Sequence, residues 1–378
     1  MSKIISIGTA VPAFKHAQKD ILNFMQQVYA LDAVENRKLK FLYSHSGIET
    51  RYSAVPDYSH EMPEWKFYPH SENLEPFPSL ELRMQWYNKY APLLSVDAIR
   101  NCIEGKLFTN EITHLITVSC TGMSAPGLDL HVMELLDLPK NTYRTSINFM
   151  GCYAAIHALK MADAICKTEP HAKVMIVCTE LCTLHFQKDP SADNIASTLL
   201  FGDGSAAALV VPDADANKGL YLKSFYSEIV PKGKRDMSWE LSSTGFLMTL
   251  SGYIPELIQE DFEPLVQRAL QHANMNKEQI EHWCIHPGGK RIVDAIQKSL
   301  QLPPVKVEKS YEVLKQFGNM SSPTILFVLK ELMKEKFSSS AGEARLDDSV
   351  ERGQEGAIFG AAFGPGLTME TFLASPHA

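Results

Sequence analysis

Short apolar, often β-branched runs alternate with amphipathic stretches along almost the whole chain, and this constrains the fold more than any single motif. Residues 115–119, 174–178 and 206–211 are strand-like runs bounded by turn formers. Residues 153–166, 253–275, 291–300 and 323–334 carry helical spacing, as in Ile292, Val293, Ile296 and Leu300. Alternation of this kind predicts an α/β fold. The pattern also repeats weakly. Ile112-Thr113-His114-Leu115 is echoed by Ile280-Glu281-His282-Trp283, and Cys152 lies 38 residues beyond His114 as Asn319 lies 37 beyond His282. Each later point reads Phe, then small residues, then a helix. Two duplicated halves are expected, 1–212 and 219–378, joined by the polar stretch 212–219, with helix starts brought to one centre. A second polar stretch, 338–356, is expected to be an exposed loop.

Composition narrows the function. The 378 residues are 45% hydrophobic and 21% charged, enough for a sizeable core and unlike a disordered chain. Thirty-six Lys+Arg against forty-four Asp+Glu gives −8, which argues against nucleic acid as the partner. No apolar run reaches the ~18–20 residues of a membrane span. Ile4-Ile5-Ser6-Ile7, followed at once by Pro12, reads as a first strand rather than a secretory leader. Seven cysteines without framework spacing point to a reduced, cytoplasmic protein.

Three positions can carry chemistry. Gly151-Cys152 places a thiol where a long helix begins, and the free N–H groups and positive dipole end there favour a thiolate. The alternative is a buried small hydrophobe. His286 ends a strand-like run and precedes Pro287-Gly288-Gly289, whose bare backbone admits a ligand. The alternative for it is a structural histidine. Asn319, after Gly318 and before Ser321-Ser322, can donate to an oxyanion or cap a helix. Cys178, Cys182 and His185 have metal-like spacing but no companion pair, so no metal is expected. The glycines in 201–205 and 363–367 fit turns between strands and not phosphate loops.

Taken together, Gly151-Cys152 before a helix, Leu200-Phe201-Gly202-Asp203-Gly204, His286-Pro287-Gly288-Gly289, Gly318-Asn319-Met320-Ser321-Ser322 and Phe363-Gly364-Pro365-Gly366-Leu367-Thr368-Met369-Glu370-Thr371 resemble the type III polyketide synthases, the chalcone and stilbene synthase family. The resemblance runs nearly end to end. It implies a thiolase fold of duplicated αβαβα halves in a five-layered core, a homodimer, and no cofactor beyond CoA thioester substrates. By residue it implies Cys152 as nucleophile, His286 as catalytic histidine, Asn319 as oxyanion donor and Phe201 as gatekeeper of the CoA tunnel. His286 is expected to hold Cys152 as a thiolate. The thiolate takes an acyl group from CoA, and an enolate from malonyl-CoA then attacks the acyl-cysteine.

The pocket departs from the plant pattern. Cys120 and Thr121 stand for Thr and Ser, Cys182 and His185 for two threonines, Met248 for Phe and Trp239 for Gly, with Ser321 in the same pocket. A bulky Trp239 points to a compact starter such as malonyl-CoA, as in tetrahydroxynaphthalene synthases; a fatty acyl starter in a separate tunnel is the rival. Of the family's CoA-binding cations only Lys38 is matched, with Phe41 and His45 in place of others and Arg37 and Lys40 nearby. Ala125 before Pro126 falls in the segment that reaches the partner subunit's pocket, where Met is common. A ketoacyl-ACP synthase III-like enzyme is the nearest alternative, and a non-catalytic thiolase-fold binding protein the one from a different class. A thiolase would need a second cysteine near the C-terminus, beyond Cys284.

Overall fold

The computed structural model describes residues 1–339 and 356–377. Its strands are β1 (Ser2–Ala10), β2 (Phe14–Ala17), β3 (Thr50–Ser53), β4 (His114–Ser119), β5 (Tyr143–Asn148), β6 (Val174–Leu181), β7 (Asp203–Pro212), β8 (Leu220–Ile229), β9 (Met237–Ser242), β10 (Gly245–Leu250), β11 (Ile280–Ile285), β12 (Ala357–Gly364) and β13 (Thr368–Ser375). Between them run helices α1 (Gln18–Tyr29), α2 (Ala33–His45), α3 (Leu80–Ile103), α4 (Leu128–Leu136), α5 (Ala154–Thr168), α6 (Ala192–Leu200), α7 (Ile254–His272), α8 (Lys290–Ser299), α9 (Glu308–Phe317) and α10 (Thr324–Ser339).

Nine strands form one sheet in the order β11-β12-β13-β8-β1-β7-β6-β4-β5. The duplication is visible in that order. In the first half β4 and β6 are parallel, while β6–β7 and β7–β1 are antiparallel. In the second half β11 and β12 are parallel, while β12–β13 and β13–β8 are antiparallel. Strands β4 and β11, which open with the echoed His114 and His282 segments, hold equivalent places. β1 joins the halves by pairing with β7 on one side and with β8 on the other.

Strands β4, β6, β7 and β12 are buried on both faces, which is why they read as nearly continuous apolar runs. In β6, Met175, Val177 and Leu181 pack on one side with α3, while Val174, Ile176 and Cys178 pack on the other with α5. In β12, Phe359 and Phe363 face the core of α7 and α8, while Ile358 and Ala362 face α10. Thus α5 and α10 share one central core, each packed on strands of both halves, with further helices on the other faces of those strands. This is the expected five-layered thiolase-like arrangement. Alanines 154, 155, 158 and 162 of α5 are fully buried there and allow close helix-to-sheet approach.

Two expectations about loops change. The glycines at 202 and 204 do not join two strands: α6 ends at Leu200, Phe201 is its C-cap, and β7 starts at Asp203. The reason is Asp203, a fully buried carboxylate that ties the turn to β3 and its neighbours by accepting from the N–H groups of Ala54 and Thr183, each at 2.8 Å. Of the stretch expected as a loop at 338–356, Ser338 and Ser339 belong to α10 and Gly356 is a turn residue; 340–355 lie outside the described residues.

Candidate active site

A cavity of about 810 Å3 opens where the two central helices begin, lined by Cys152, His286, Asn319, Phe201, Cys120, Thr121, Cys182, His185, Trp239, Met248, Ser321 and, at its mouth, Lys38. Only Ala125, exposed on the loop between β4 and α4, is not part of it.

Cys152 is the middle residue of a 3-10 turn that leads into α5, and α5 has no side-chain cap. Gly151 makes this possible: its φ is 77°, and a Cβ there would meet Pro365 Cδ at 2.2 Å. The Gly364-Pro365-Gly366 turn therefore locks against the turn that carries Cys152. Asn319 follows Gly318, at φ 68°, where a Cβ would meet Leu200 O at 2.8 Å. Its Nδ2 donates to Gly288 O at 3.2 Å, and its Oδ1 accepts from Ser321 N at 2.8 Å. One N–H of the amide remains for the cavity. The backbone of Asn319 bridges α6: its N–H donates to Leu200 O, and its carbonyl accepts from Gly202 N, both at 2.9 Å. Phe201 is thereby fixed beside it.

His286 follows β11 and is 2% exposed, with its backbone N–H donating to Ala361 O at 2.9 Å. Neither ring nitrogen has a hydrogen-bond partner. The expected pairing with Cys152 is therefore not formed in this structure. Cys152 Sγ instead donates to Ser321 Oγ at 3.6 Å. Burial pushes the Cys152 thiol up to about 11, although hydrogen bonding with Ser321 and Asn319 opposes the rise. Burial also pushes the His286 imidazole down to about 3. Desolvation outweighs the helix start, and each group taken alone stays neutral. A proton moved from sulfur to imidazole would exchange two neutral groups for one ion pair, the single charged state in which each offsets the other's burial.

Behind Cys152 the wall is cross-braced. Cys120 Sγ accepts from Gly151 N at 3.1 Å, and Cys120 O accepts from Trp239 Nε1 at 2.7 Å. Trp239 lies in the β9–β10 hairpin opposite Met248 and meets Phe246 and His185 edge-on. His185 stacks on Phe246 with centroids 4.3 Å apart. Both His185 ring nitrogens are engaged, Nε2–H with Thr121 O at 2.7 Å and Nδ1 accepting from Phe246 N at 3.1 Å. Burial lowers its pKa to about 3, so His185 is a neutral brace. Cys178 faces the central core, away from Cys182 and His185.

The family models for chalcone and stilbene synthases match both halves, the N-terminal domain over 1–214 and the C-terminal domain over 221–376. The chain belongs to that family, the type III polyketide synthases. It is 30% identical over 388 aligned residues to a putative chalcone synthase of Bacillus subtilis, covering 99% of each. It is 28% identical to probable polyketide synthase 1 of Dictyostelium discoideum, but spans only 11% of that much longer protein. Among solved structures it resembles PKS-I of the brown alga Ectocarpus siliculosus (TM-score 0.90, 26% identity, 99% of this chain and 97% of that one). It also resembles the C-terminal type III polyketide synthase domain of Steely1, a type I/III hybrid from Dictyostelium (TM-score 0.86, 26% identity, 99% of each). Polyketide synthases of this family are acyltransferases that use acyl-CoA substrates.

Sequence reasoning missed Glu180. This fully buried carboxyl lies just behind the cavity wall and accepts from Cys120 N and Thr121 Oγ1 at 2.8 Å and from Ser322 Oγ at 2.7 Å. Burial raises it to about 7, against these hydrogen bonds. The available signal was an acid inside the otherwise apolar run of β6. Sequence reasoning also gave Arg51 no role. It is buried and holds the end of α6, donating to Thr198 O at 2.7 Å and to Phe201 O at 2.5 Å. Among the α2 cations, Lys38 lines the mouth while Arg37 and Lys40 do not.

Proposed function

We propose that this type III polyketide synthase condenses malonyl-CoA onto an acyl-CoA starter through an acyl-cysteine on Cys152. The observation that carries the reading is the convergence of Cys152, His286 and Asn319, from both halves, on one cavity. His286 takes the thiol proton. The thiolate attacks the thioester carbonyl, and the C–S bond to CoA breaks as the CoA sulfur leaves with the proton from His286. Malonyl-CoA then loses CO2, leaving the C–C bonding electrons as an enolate held by N–H donors of His286 and Asn319. The enolate carbon attacks the acyl-cysteine, expelling the Cys152 thiolate. Repeated extension and ring closure give a resorcinol, pyrone or naphthalene-type product. The substrate's own carboxylate is the leaving group, so the sequence of steps calls for no metal or organic cofactor.

Trp239, pinned by its hydrogen bond to Cys120 O, supports a compact starter such as malonyl-CoA. A second reading, a longer acyl starter, has support from the apolar residues Ile21, Met25, Leu39 and Leu199 in the lining of the same cavity. Further parts of the proposal are a division into halves 1–212 and 219–378, a cytoplasmic location and a homodimer. Supporting the dimer, edge strand β5 is largely exposed, with Tyr143 at 68%, and Ala125 is exposed on the loop that leads to α4. Incubating the protein with malonyl-CoA and a panel of short, aromatic and long acyl-CoAs, with products read by mass spectrometry, tests the reading. Polyketide products without any acyl carrier protein support it. Condensation only with a carrier protein favours a ketoacyl-ACP synthase III-like activity, and no condensation with any starter refutes both.

A further inference from the structure

The apolar face of α5 does little to fix where that helix starts. Ala154, Ala155, Ala158 and Ala162 are fully buried, and side chains this small make shallow ridges that allow close approach but resist sliding and rotation weakly. The helix also begins without a side-chain cap. Cys152 sits in the turn immediately before it, so any movement of α5 moves the sulfur.

The firm holds come from the turn between β12 and β13 and from β13 itself. Pro365 packs at Gly151, and Gly364 packs at Tyr153, where a Cβ on the glycine would meet Tyr153 Cδ1 at 2.4 Å. Further along, Glu370 of β13 reaches the next turns of α5. Its Oε1 accepts from His157 Nε2 at 3.1 Å and its Oε2 from Lys160 Nζ at 3.1 Å. Their i, i+3 spacing puts both donors on one helix face. Ser227, opposite Glu370 on β8, donates to the same Oε2 at 2.5 Å and accepts from Lys160 Nζ at 2.7 Å. The Glu370 side chain is 2% exposed, against 28% for His157 and 37% for Lys160. Separating a buried carboxylate from its donors leaves its desolvation uncompensated, so the contact is held tightly. The anchor is firm as well, since β13 is paired on both edges, with β12 and β8. Tyr153, whose ring centroid lies 5.3 Å from that of His157, carries the hold back to the residue next to Cys152.

We propose that Glu370 is a positioning residue for the nucleophile: through His157 and Lys160 it sets the height and rotation of α5, and so the place of Cys152 Sγ relative to His286 and Asn319. The proposal rests on the acyl-cysteine reading above. No proton or electron passes through Glu370. Its action is mechanical, because a helix is stiff over the turn and a half that separates His157 from Cys152. A displacement of about 1 Å at the reacting atom is enough to cost roughly 10²-fold in rate.

The test compares two reactions of one thiol in the full chain. Single-turnover acylation of Cys152 by a saturating starter acyl-CoA needs the sulfur in its place; alkylation by iodoacetamide, a small reagent free to approach from many directions, does not. Glu370→Gln keeps the size of the side chain but turns an N–H toward one of the donors. It should slow acylation about 10- to 100-fold, with the KM for the starter and the alkylation rate unchanged. His157→Leu should show the same loss, and His157→Gln, which retains a donor, should recover most of it. The double variant Glu370→Gln/His157→Leu should be no slower than either single one, since both remove one contact. Asp163→Asn is the control for stability. This buried carboxylate holds the later half of the same helix, accepting from Ser2 Oγ at 2.8 Å and from Lys167 Nζ at 2.6 Å. It should lower the melting temperature at least as much as Glu370→Gln while leaving acylation at the parent rate. Acylation of Glu370→Gln at the parent rate refutes the positioning role. So does an equal slowing in Asp163→Asn, or alkylation that falls in step with acylation. The two readings fail distinguishably: a parent that gains no acyl group on Cys152 overturns both, and an acylated parent indifferent to Glu370→Gln overturns the positioning alone.

Discussion

The starts of α5 and α10 are equivalent places in the two halves, yet they carry different chemistry. Each is entered through a glycine with positive φ, Gly151 or Gly318, and each has a strained non-glycine residue beside it, Phe149 at φ 57° and Ser321 at φ 60°. In the first half the turn presents a thiol. In the second it presents an amide, whose orientation is fixed by Gly288 O and Ser321 N. The two starts touch through Cys152 Sγ and Ser321 Oγ. Duplication supplied the shared backbone, and the divergence lies in which side chain each start exposes to the cavity. In the proposed mechanism one start is acylated and the other holds negative charge.

Substitutions that separate the two starts test this division of labour. Cys152→Ala should remove polyketide formation, by at least ~10⁴-fold in kcat/KM, as loss of a nucleophile does. His286→Ala should cut turnover by ~10²–10⁴-fold. It should also move iodoacetamide alkylation of Cys152 to higher pH, since burial then acts on the thiol with no base to take its proton; an unmoved alkylation profile would separate His286 from the sulfur. Asn319→Ala should cost ~10²–10³-fold, the loss expected for one oxyanion donor. The deficit should fall on malonyl-CoA decarboxylation while acylation of Cys152 by a starter survives. Equal loss of both steps would erase the contrast between the helix starts.

Smaller effects are expected behind the cavity wall. Trp239→Gly should broaden the starter range or lengthen products with little change in Cys152 acylation; an unaltered product profile would take Trp239 out of starter selection. Glu180 is raised from 4.5 to about 7 by burial, so the folded state binds its proton more firmly than the unfolded chain does. That contribution is full below about 4.5 and is lost as pH rises to 7 and beyond. Denaturant titrations at pH 5.5 and 7.5 should show this slope in the parent protein and its absence in Glu180→Gln.

Much of this was legible in the sequence because it rests on local rules. Apolar runs marked the doubly buried strands, helical spacing marked α5, α7, α8 and α10, and glycines at 151 and 318 marked turns no other residue could make. The duplicated order was visible only as the weak His114 and His282 echo, because strand pairing across the sheet leaves no local trace. The helix start at Cys152 was visible in sequence, but the depth of burial that outweighs it depends on packing from the other half. Glu180 escaped because its partners, Cys120, Thr121 and Ser322, come from distant segments. Phe41 and His45 looked like two missing cations, and only the folded helix reveals them as one stacked surface.

The central claim is a covalent one: an acyl group rests on Cys152 while Asn319 stabilises the incoming enolate. Intact-mass measurement of the full-length protein after brief exposure to a starter acyl-CoA, followed by peptide mapping, tests it directly. A single acyl adduct on Cys152, absent in Cys152→Ala and discharged by malonyl-CoA, is the expected result. An adduct on another residue, or turnover by Cys152→Ala, would contradict it.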